Sequence, residues 1–314
     1  MSDSLDVVIA FAYPDSPEFQ QAANNLQLPH LAHLLKRLVA QVADSAAGNS
    51  LTPPHERALA QAAGITAADG QIPWAAWTLA QQGHSSDQAT TGAWAFITPC
   101  QWHAAIDHVT MTDPASLDLP EDESRALLAA MQPYFATDGI TLEFDQSTRW
   151  LARGEVFRGL AMASIDRVIG RNLGPWMPTV PGLRRLQNEM QMLLYTHPVN
   201  EARIARGAQP VNSFWVHGAG AFSGALSRSL PAVNTSLRNP ALQGNWPAWA
   251  AAWQALDADL CARLLAAHQA GQLVTVTLCG DRAAQRYTTA PRSLSTRFLS
   301  LFGQQPLSNL LKQL

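Results

Sequence analysis

Short apolar runs and longer amphipathic ones alternate along the chain. "LDVVIAFA" (5–12) is compact and rich in β-branched residues, and reads as a buried strand. In "LPHLAHLLKRLVAQVA" (28–43) leucines recur at 28, 31, 34, 35 and 38, the spacing of one helix face after a proline start. "PPHERALAQAAGI" (53–65) predicts a second, shorter helix closing on Gly64. A strand followed by amphipathic helices predicts an α/β layer. The signature returns later, where "WPAWAAAWQALDADLCARLLAAHQAG" (246–271) predicts a long helix ending at Gly271. "QLVTVTLCGDR" (272–282) then predicts a buried strand with charge only at its exit, and "STRFLSLFGQQPLSNLLKQL" (295–314) a packing tail.

Between about Gln71 and Gly182 the pattern changes. Six tryptophans (Trp74, Trp77, Trp94, Trp102, Trp150 and Trp176) fall among proline-bounded pieces. "SRALLAAMQPYF" (124–135) is an amphipathic helix, and "ITLEFDQSTRWLA" (140–152) alternates like paired or edge strand. The pattern predicts a main α/β core from 1–70 and 183–314, with 71–182 an inserted or elaborated region holding its own small core. "GLRRLQNEMQMLLY" (182–195) is a helix with Leu183, Leu186, Met190 and Leu193 on one face, stopped at His197-Pro198. Asn200 then opens a short turn that Gly207 closes, "PVNSFWVHG" reads as a strand, and "GAGAFSG" as a glycine loop at its end.

Composition narrows the class. The chain has 314 residues, 47% hydrophobic and 14% charged, enough for a sizeable core and too few charges for disorder. A net charge of −3 gives no electrostatic reason to expect nucleic acid. Only Lys36 and Lys312 among the 21 basic residues are lysines, so the placement of an arginine is informative and the count is not. Cys100, Cys261 and Cys279 are widely spaced, without a C-x-x-C pair, which disfavours a disulfide framework or a zinc knuckle and fits a reducing compartment. No run approaches the roughly 18 apolar residues of a membrane span. The acidic N-terminus is no secretion signal, so the expectation is a cytoplasmic protein without membrane contact, its oligomeric state left open.

The chemistry concentrates in "THPVNEARIARGAQPVNSFWVHGAG" (196–220), with two histidines, two asparagines and two arginines around a Phe-Trp pair. A connector does not need the aromatics and a core element does not need the polar groups. Arg203 and Arg206, with Asn200, Asn212 and His217, can converge on a phosphate or carboxylate, because guanidinium presents a planar fork of donors. His197 would orient the turn. The competing reading is that these groups satisfy backbone atoms around two sharp turns. Ligands collect outside the carboxyl ends of strands in open α/β sheets, which singles out His217 and also Asp281-Arg282. Other patterns are weaker. "GAGAFSG" has glycines for a dinucleotide turn, but Arg238 stands where an acidic residue would hold the ribose. Ser223 in "AFSGA" does not meet G-x-S-x-G. His103, Asp107 and His108, and separately His30 and His33, have the residue types of metal ligands but read better as satisfied histidines.

The same stretch resembles the segment H-P-x-N…R…G…P-A-N…R-G-A-G of archaeal-type cofactor-independent phosphoglycerate mutases. The matching positions are His197, Pro198, Asn200, Arg203, Gly207, Pro210, Asn212, Gly218 and Gly220. "RVIGRN", "RRLQNEMQMLLYTHPVN" and "NSFWVHGAG" look most like proteobacterial RpfE-type regulatory proteins. The resemblance implies an alkaline-phosphatase-like three-layer α/β sandwich around a mostly parallel sheet. Active members use two divalent metals and a Ser or Thr nucleophile. Here the first strand exits into Tyr13-Pro14 where the family has Asp-Gly, with Asp15 as a displaced substitute. Thr52, near the nucleophile position, is followed by Pro53-Pro54. The Asp-x-x-x-His pair is absent from "NPALQGNWPAWAAAW", and the terminal Asp-His is Asp281-Arg282. A permanently protonated guanidinium does not ligate a metal. The resemblance therefore implies a cofactor-free, non-catalytic relative that binds a phosphorylated or carboxylated small molecule, or a protein partner, in a regulatory role. Its ligand set would be His197, Asn200, Arg203, Asn212, His217, Asp281 and Arg282. Two alternatives stand beside it. One is an active mutase or phosphatase holding manganese or zinc on His55, His103, Asp107 and His108; the other is an interaction module using the tryptophan-rich region.

Overall fold

The structure, a computed structural model, describes residues 4–13, 19, 26–83, 92–224, 230–289, 311 and 314. In chain order the strands are β1 (Leu5–Ile9), β2 (Val39–Ala40), β3 (Asp44–Ser45), β4 (Trp94–Cys100), β5 (Trp102–Ala104), β6 (Val109–Met111), β7 (Thr141–Gln146), β8 (Arg149–Arg153), β9 (Ser213–Gly220), β10 (Ala232–Asn234), β11 (Val274–Cys279) and β12 (Ala283–Thr288). The helices are α1 (Pro29–Leu35), α2 (Pro54–Ala63), α3 (Trp74–Gln81), α4 (Glu121–Thr137), α5 (Ile165–Val168), α6 (Pro181–Tyr195), α7 (Pro198–Ala205), α8 (Arg238–Leu242), α9 (Trp246–Leu256) and α10 (Ala262–Gln269). They form two compact units, residues 1–64 with 228–314, and residues 65–227.

The first unit is α/β. Its sheet runs β10-β1-β11-β12-β2, with β3 also on β12. β10, β1 and β11 are parallel, and β12 turns back antiparallel on β11. Successive side chains of a strand point to opposite faces. Val7 and Ile9, with Val276 and Leu278, pack against Leu31 and Leu34 of α1, Trp249 and Trp253 of α9, and Leu264 of α10. Val8, Cys279 and Ala284 face the other way, toward Ala58 and Leu59 of α2. Helices on both faces give three layers. Of the tail expected over 295–314, Leu311 and Leu314 are described, and both are buried in the larger core.

The helix expected over 28–43 ends at Leu35. Leu38 keeps the leucine spacing because it is buried in the same core after the helix has stopped. The β-branched Val39 already pairs with Thr288 on the sheet. α1 also lacks a cap of its own, since Leu28 has no side-chain acceptor. The cap comes from Asp257, whose carboxylate accepts the backbone N–H of His30 at 3.2 Å and of Leu31 at 2.7 Å, and lies 3.1 Å from His30 Nδ1. Asp257 opens a five-residue π-helical turn, Asp257–Cys261, that joins α9 to α10. Removing a buried carboxylate that satisfies two orphan amides costs about 2 kcal/mol. Asp257→Ala is therefore expected to lower unfolding stability by about that amount in a urea titration. A loss below about 0.5 kcal/mol would show that the long-range cap does not hold α1.

The second unit holds an antiparallel sheet, β7-β8-β4-β9, and the β5–β6 hairpin. Strand β9 pairs with β4 from Cys100↔Ser213 to Trp94↔Gly220. The expected boundary near residue 182 therefore moves: α6, α7 and β9 belong with the tryptophan-rich region, and the division falls at Ser227. The reason is a strand pairing between distant segments, which local periodicity does not encode. The first glycines of "GAGAFSG" lie inside β9 rather than in a loop. An added Cβ on Gly218 would sit 3.0 Å from Phe96 and Trp74, and one on Gly220 2.9 Å from Pro73. Both residues have positive φ, 61° and 146°. They let the start of α3 close onto the strand. Among the described residues no helix is long and apolar enough to cross a membrane.

Candidate functional site

The polar residues of 196–220 are turned onto the protein itself. His197 caps α7, its Nδ1 accepting the Val199 N–H at 3.2 Å. Asn200 is buried; its amide nitrogen donates to the carbonyls of Leu194 (2.8 Å) and Val211 (2.6 Å), and its oxygen accepts the Val211 N–H at 2.9 Å. Asn212 does the same for Trp102, accepting its N–H at 2.7 Å and donating to its carbonyl at 2.8 Å. Arg203 is 0% exposed, and all three guanidinium nitrogens are engaged. They reach the carbonyl of Gln209 (2.7 Å), the carboxylate of Glu123 (2.7 Å) and the carbonyl of Leu117. Arg206, at the surface, also grips Glu123 at 2.6 Å. The Arg206 hydrogen bond, with help from Arg203, holds the Glu123 carboxyl below its ordinary range. The expected anion contacts Asn200, Arg203 and Asn212 are thus committed to carbonyls, amides and one carboxylate. The physical reason is that two buried turns leave backbone groups that only side chains can satisfy.

His217 is likewise turned onto the protein. Its Nε2 lies 3.0 Å from Thr98 Oγ1 and its ring 5.4 Å from that of Phe96. Burial, reinforced by the charge of Arg149 and opposed by Asp166, pushes its pKa down to about 4. Arg149 itself lies over the Phe96 ring and pairs with Asp145 at 2.6 Å.

In the first unit the carboxyl ends of β1 and β11 bring together a different set. Phe11 adopts φ 58°, the left-handed region that costs a bulky residue energy, and its ring lies 5.3 Å from that of the buried His55. Arg57 on α2 donates to Asp44 (2.6 Å), to the carbonyl of Thr52 (2.7 Å) and to that of Arg282 (3.0 Å). The Asp281 N–H donates to the carbonyl of Tyr13 at 3.0 Å, and that of Arg282 to Leu314 at 3.1 Å. Gly280 has no room for a side chain, since an added Cβ would lie 2.6 Å from Leu314. Arg282 is exposed, its Nε 3.5 Å from where a Gly48 Cβ would be. Asp281 and Arg282 leave a strand of the first unit's sheet, and His217 sits within a strand of the second unit's. The expected single set across neighbouring strand exits is therefore not built from one sheet. Sequence reasoning missed Phe11 and Arg57. Nothing in "PPHERALAQ" marks its arginine as different from any helix-surface charge.

The donor set does not fit a pair of divalent ions. His55 belongs to the first unit and His103, Asp107 and His108 to the second. His103 is exposed in β5 opposite Thr110, and Asp107 and His108 form a pair at 2.6 Å in the hairpin turn. The His108 hydrogen bond keeps the Asp107 carboxyl below its usual range. Among the described residues no group of three or more His, Cys, Asp or Glu is arranged to hold a metal ion. Asp15 lies outside the described residues. The three cysteines are buried free thiols; burial, with the Asp257 charge, pushes Cys261 up to about 12, and burial raises Cys100 and Cys279 further.

No protein-family model and no curated protein sequence matches the chain. Among solved structures it is similar to a cofactor-independent phosphoglycerate mutase from Thermoplasma acidophilum DSM 1728, at 14% identity and TM-score 0.38, over 100% of this chain and 99% of that one. It is also similar to the PH0037 protein from Pyrococcus horikoshii, at 10% identity and TM-score 0.43, over 91% and 87% of the two chains.

Proposed function

We propose that this chain is a phosphoglycerate-mutase-like protein of the RpfE type that binds a phosphorylated or carboxylated small molecule without turning it over, as a regulatory protein of the cytoplasm. The observation behind this reading is the placement of two arginines, Arg57 and Arg282, at the strand exit of the first unit. Arg282 stands exposed where the sequence resemblance has a metal-binding histidine, and Arg57 braces its backbone. A guanidinium gives an oxyanion forked donors and gives a metal none. Thr52, the nearest counterpart of a nucleophile, is buried with its carbonyl held by Arg57 and Ser50. An anion bound here at free concentration L would stabilise the folded state by RT ln(1 + L/Kd), which rises with the logarithm of its concentration.

Two observations weigh on the rivals. None of the ten tryptophans is exposed, which counts against a tryptophan contact surface. Of the four residues offered for manganese or zinc, His103 is exposed opposite Thr110, and Asp107 and His108 are paired with each other. The test combines elemental analysis of untagged protein, an assay of 2- and 3-phosphoglycerate interconversion, and calorimetry with 3-phosphoglycerate. The expected result is no turnover, and binding that weakens by about tenfold or more in Arg282→Ala, the scale of one lost charged contact. Near-stoichiometric manganese or zinc with turnover would overturn the non-catalytic reading. No binding of 3-phosphoglycerate or inorganic phosphate up to about 10 mM would overturn the anion site.

A further inference from the structure

The β5–β6 hairpin of the second unit frames a pocket of about 330 Å³ that none of the chemistry above uses. That volume lies at the lower end of small-molecule sites. The register pairs Trp102 with Met111 and Ala104 with Val109, so Trp102 and Val109 share one face of the hairpin. Both line the pocket. Leu173 and Met177 line it from the segment that follows α5. That segment is tied to the hairpin by the Leu173 N–H on the Val109 carbonyl at 2.8 Å and by a bridge between Thr110 and Asn172. Trp102 is held at its backbone by both ends of the Asn212 amide. The backbone that carries the aromatic wall is therefore fixed before any ligand arrives, a condition that lowers the cost of binding.

The polar lining is as specific as the apolar one. His108 Nδ1 lies 2.6 Å from Asp107, which leaves Nε2 as the nitrogen able to meet a ligand. The Asn172 oxygen accepts the Gly174 N–H at 3.0 Å, which leaves its amide nitrogen to donate. No arginine or lysine lines the pocket and Asp107 does, so an anion is disfavoured. What remains is a tryptophan, a thioether and aliphatic wall, with His108 Nε2 and the Asn172 amide nitrogen as polar groups beside the Asp107 carboxylate.

We propose that this pocket binds an uncharged planar heterocycle of the nucleobase type, stacked on Trp102, with its donor–acceptor edge read by His108 and Asn172. Indole faces stack on such rings, and the thioether of Met177 adapts to a flat partner. The free base and the nucleoside share this chemistry. A nucleotide adds a phosphate that finds no cation here.

The test is calorimetric titration of the whole protein with adenine, adenosine, cytidine, AMP and choline. The expected result is saturable binding of a base or nucleoside with Kd below about 1 mM, and AMP weaker than adenosine. Met177→Trp, which fills the pocket, should weaken binding by about tenfold or more, as losing one stacked contact does. His108→Ala, in an exposed turn, should weaken it by about threefold or more, the scale of one hydrogen bond, with the circular dichroism spectrum unchanged. Adenine binding as well as adenosine would assign the site to the base alone, and adenosine binding better would extend it to the sugar; either supports the proposal. It is overturned if no heterocycle saturates, if both variants bind like the parent, if AMP binds more tightly than adenosine, or if choline binds more tightly than any ring.

Discussion

Arg203→Ala is expected to lower unfolding stability by about 3–5 kcal/mol, the range for breaking a buried charge pair. The side chain joins three segments through the Gln209 carbonyl, the Leu117 carbonyl and the Glu123 carboxylate, with no exposed surface of its own. Its loss leaves two buried acceptors without donors, and Arg206 alone on Glu123. Arg203→Lys keeps the charge but replaces a planar fork by one ammonium, and should recover only a minority of the loss. Arg206→Ala, a surface change, should cost about 1 kcal/mol or less. Urea titrations of the three variants decide the point. A protein with Arg203→Ala that keeps its stability to within about 1 kcal/mol, yet loses affinity for phosphate, would return Arg203 to the anion-contact role.

Acidification is expected to weaken the protein earlier than its carboxylates alone would dictate. The folded state holds His217 neutral with a pKa near 4, against 6.5 for the free side chain. Between those values the unfolded chain binds more protons, so stability falls as pH falls. The contribution is fully present above about pH 6.5 and lost by about pH 4, and amounts to at most about 3 kcal/mol. The groups that set it are the burial against Phe96 and Thr98, the positive charge of Arg149 and the opposing charge of Asp166. Glu123 acts in a lower window: its depressed carboxyl supports the fold above its ordinary value and is lost only as pH drops below that range. His217→Gln should flatten the stability profile between about pH 6.5 and 4.5 while leaving the steeper fall below it. An unchanged slope in that variant would assign the acid sensitivity elsewhere.

The parts of this structure that sequence made legible are those set by local period. The β-branched run of β1, the proline start and Gly64 stop of α2, and the apolar face of α6 all follow from spacing along a few turns of chain. What escaped was set by distant partners. α1 is capped by a carboxylate 226 positions away, and β9 joins the second unit because β4 lies beside it. The site followed the same rule. The stretch 196–220 announces buried polar groups, but a guanidinium fork looks alike in sequence whether it meets a phosphate or the carbonyls of Leu117 and Gln209. Only the fold distinguishes them. Asn212 shows the consequence: expected to touch an anion, it fixes the backbone of Trp102.

The placement of β1 between β10 and β11 sets an order of events during synthesis. β1 is the first of the described strands to be made, yet its two neighbours begin at Ala232 and Val274. At ribosomal speeds of about 5–20 residues per second, that is roughly ten seconds or more in which the run "LDVVI" has neither partner strand. All strands of the second unit are complete before β10 is made. The parallel part of the first unit's sheet therefore closes only after every described strand of the second unit has been made.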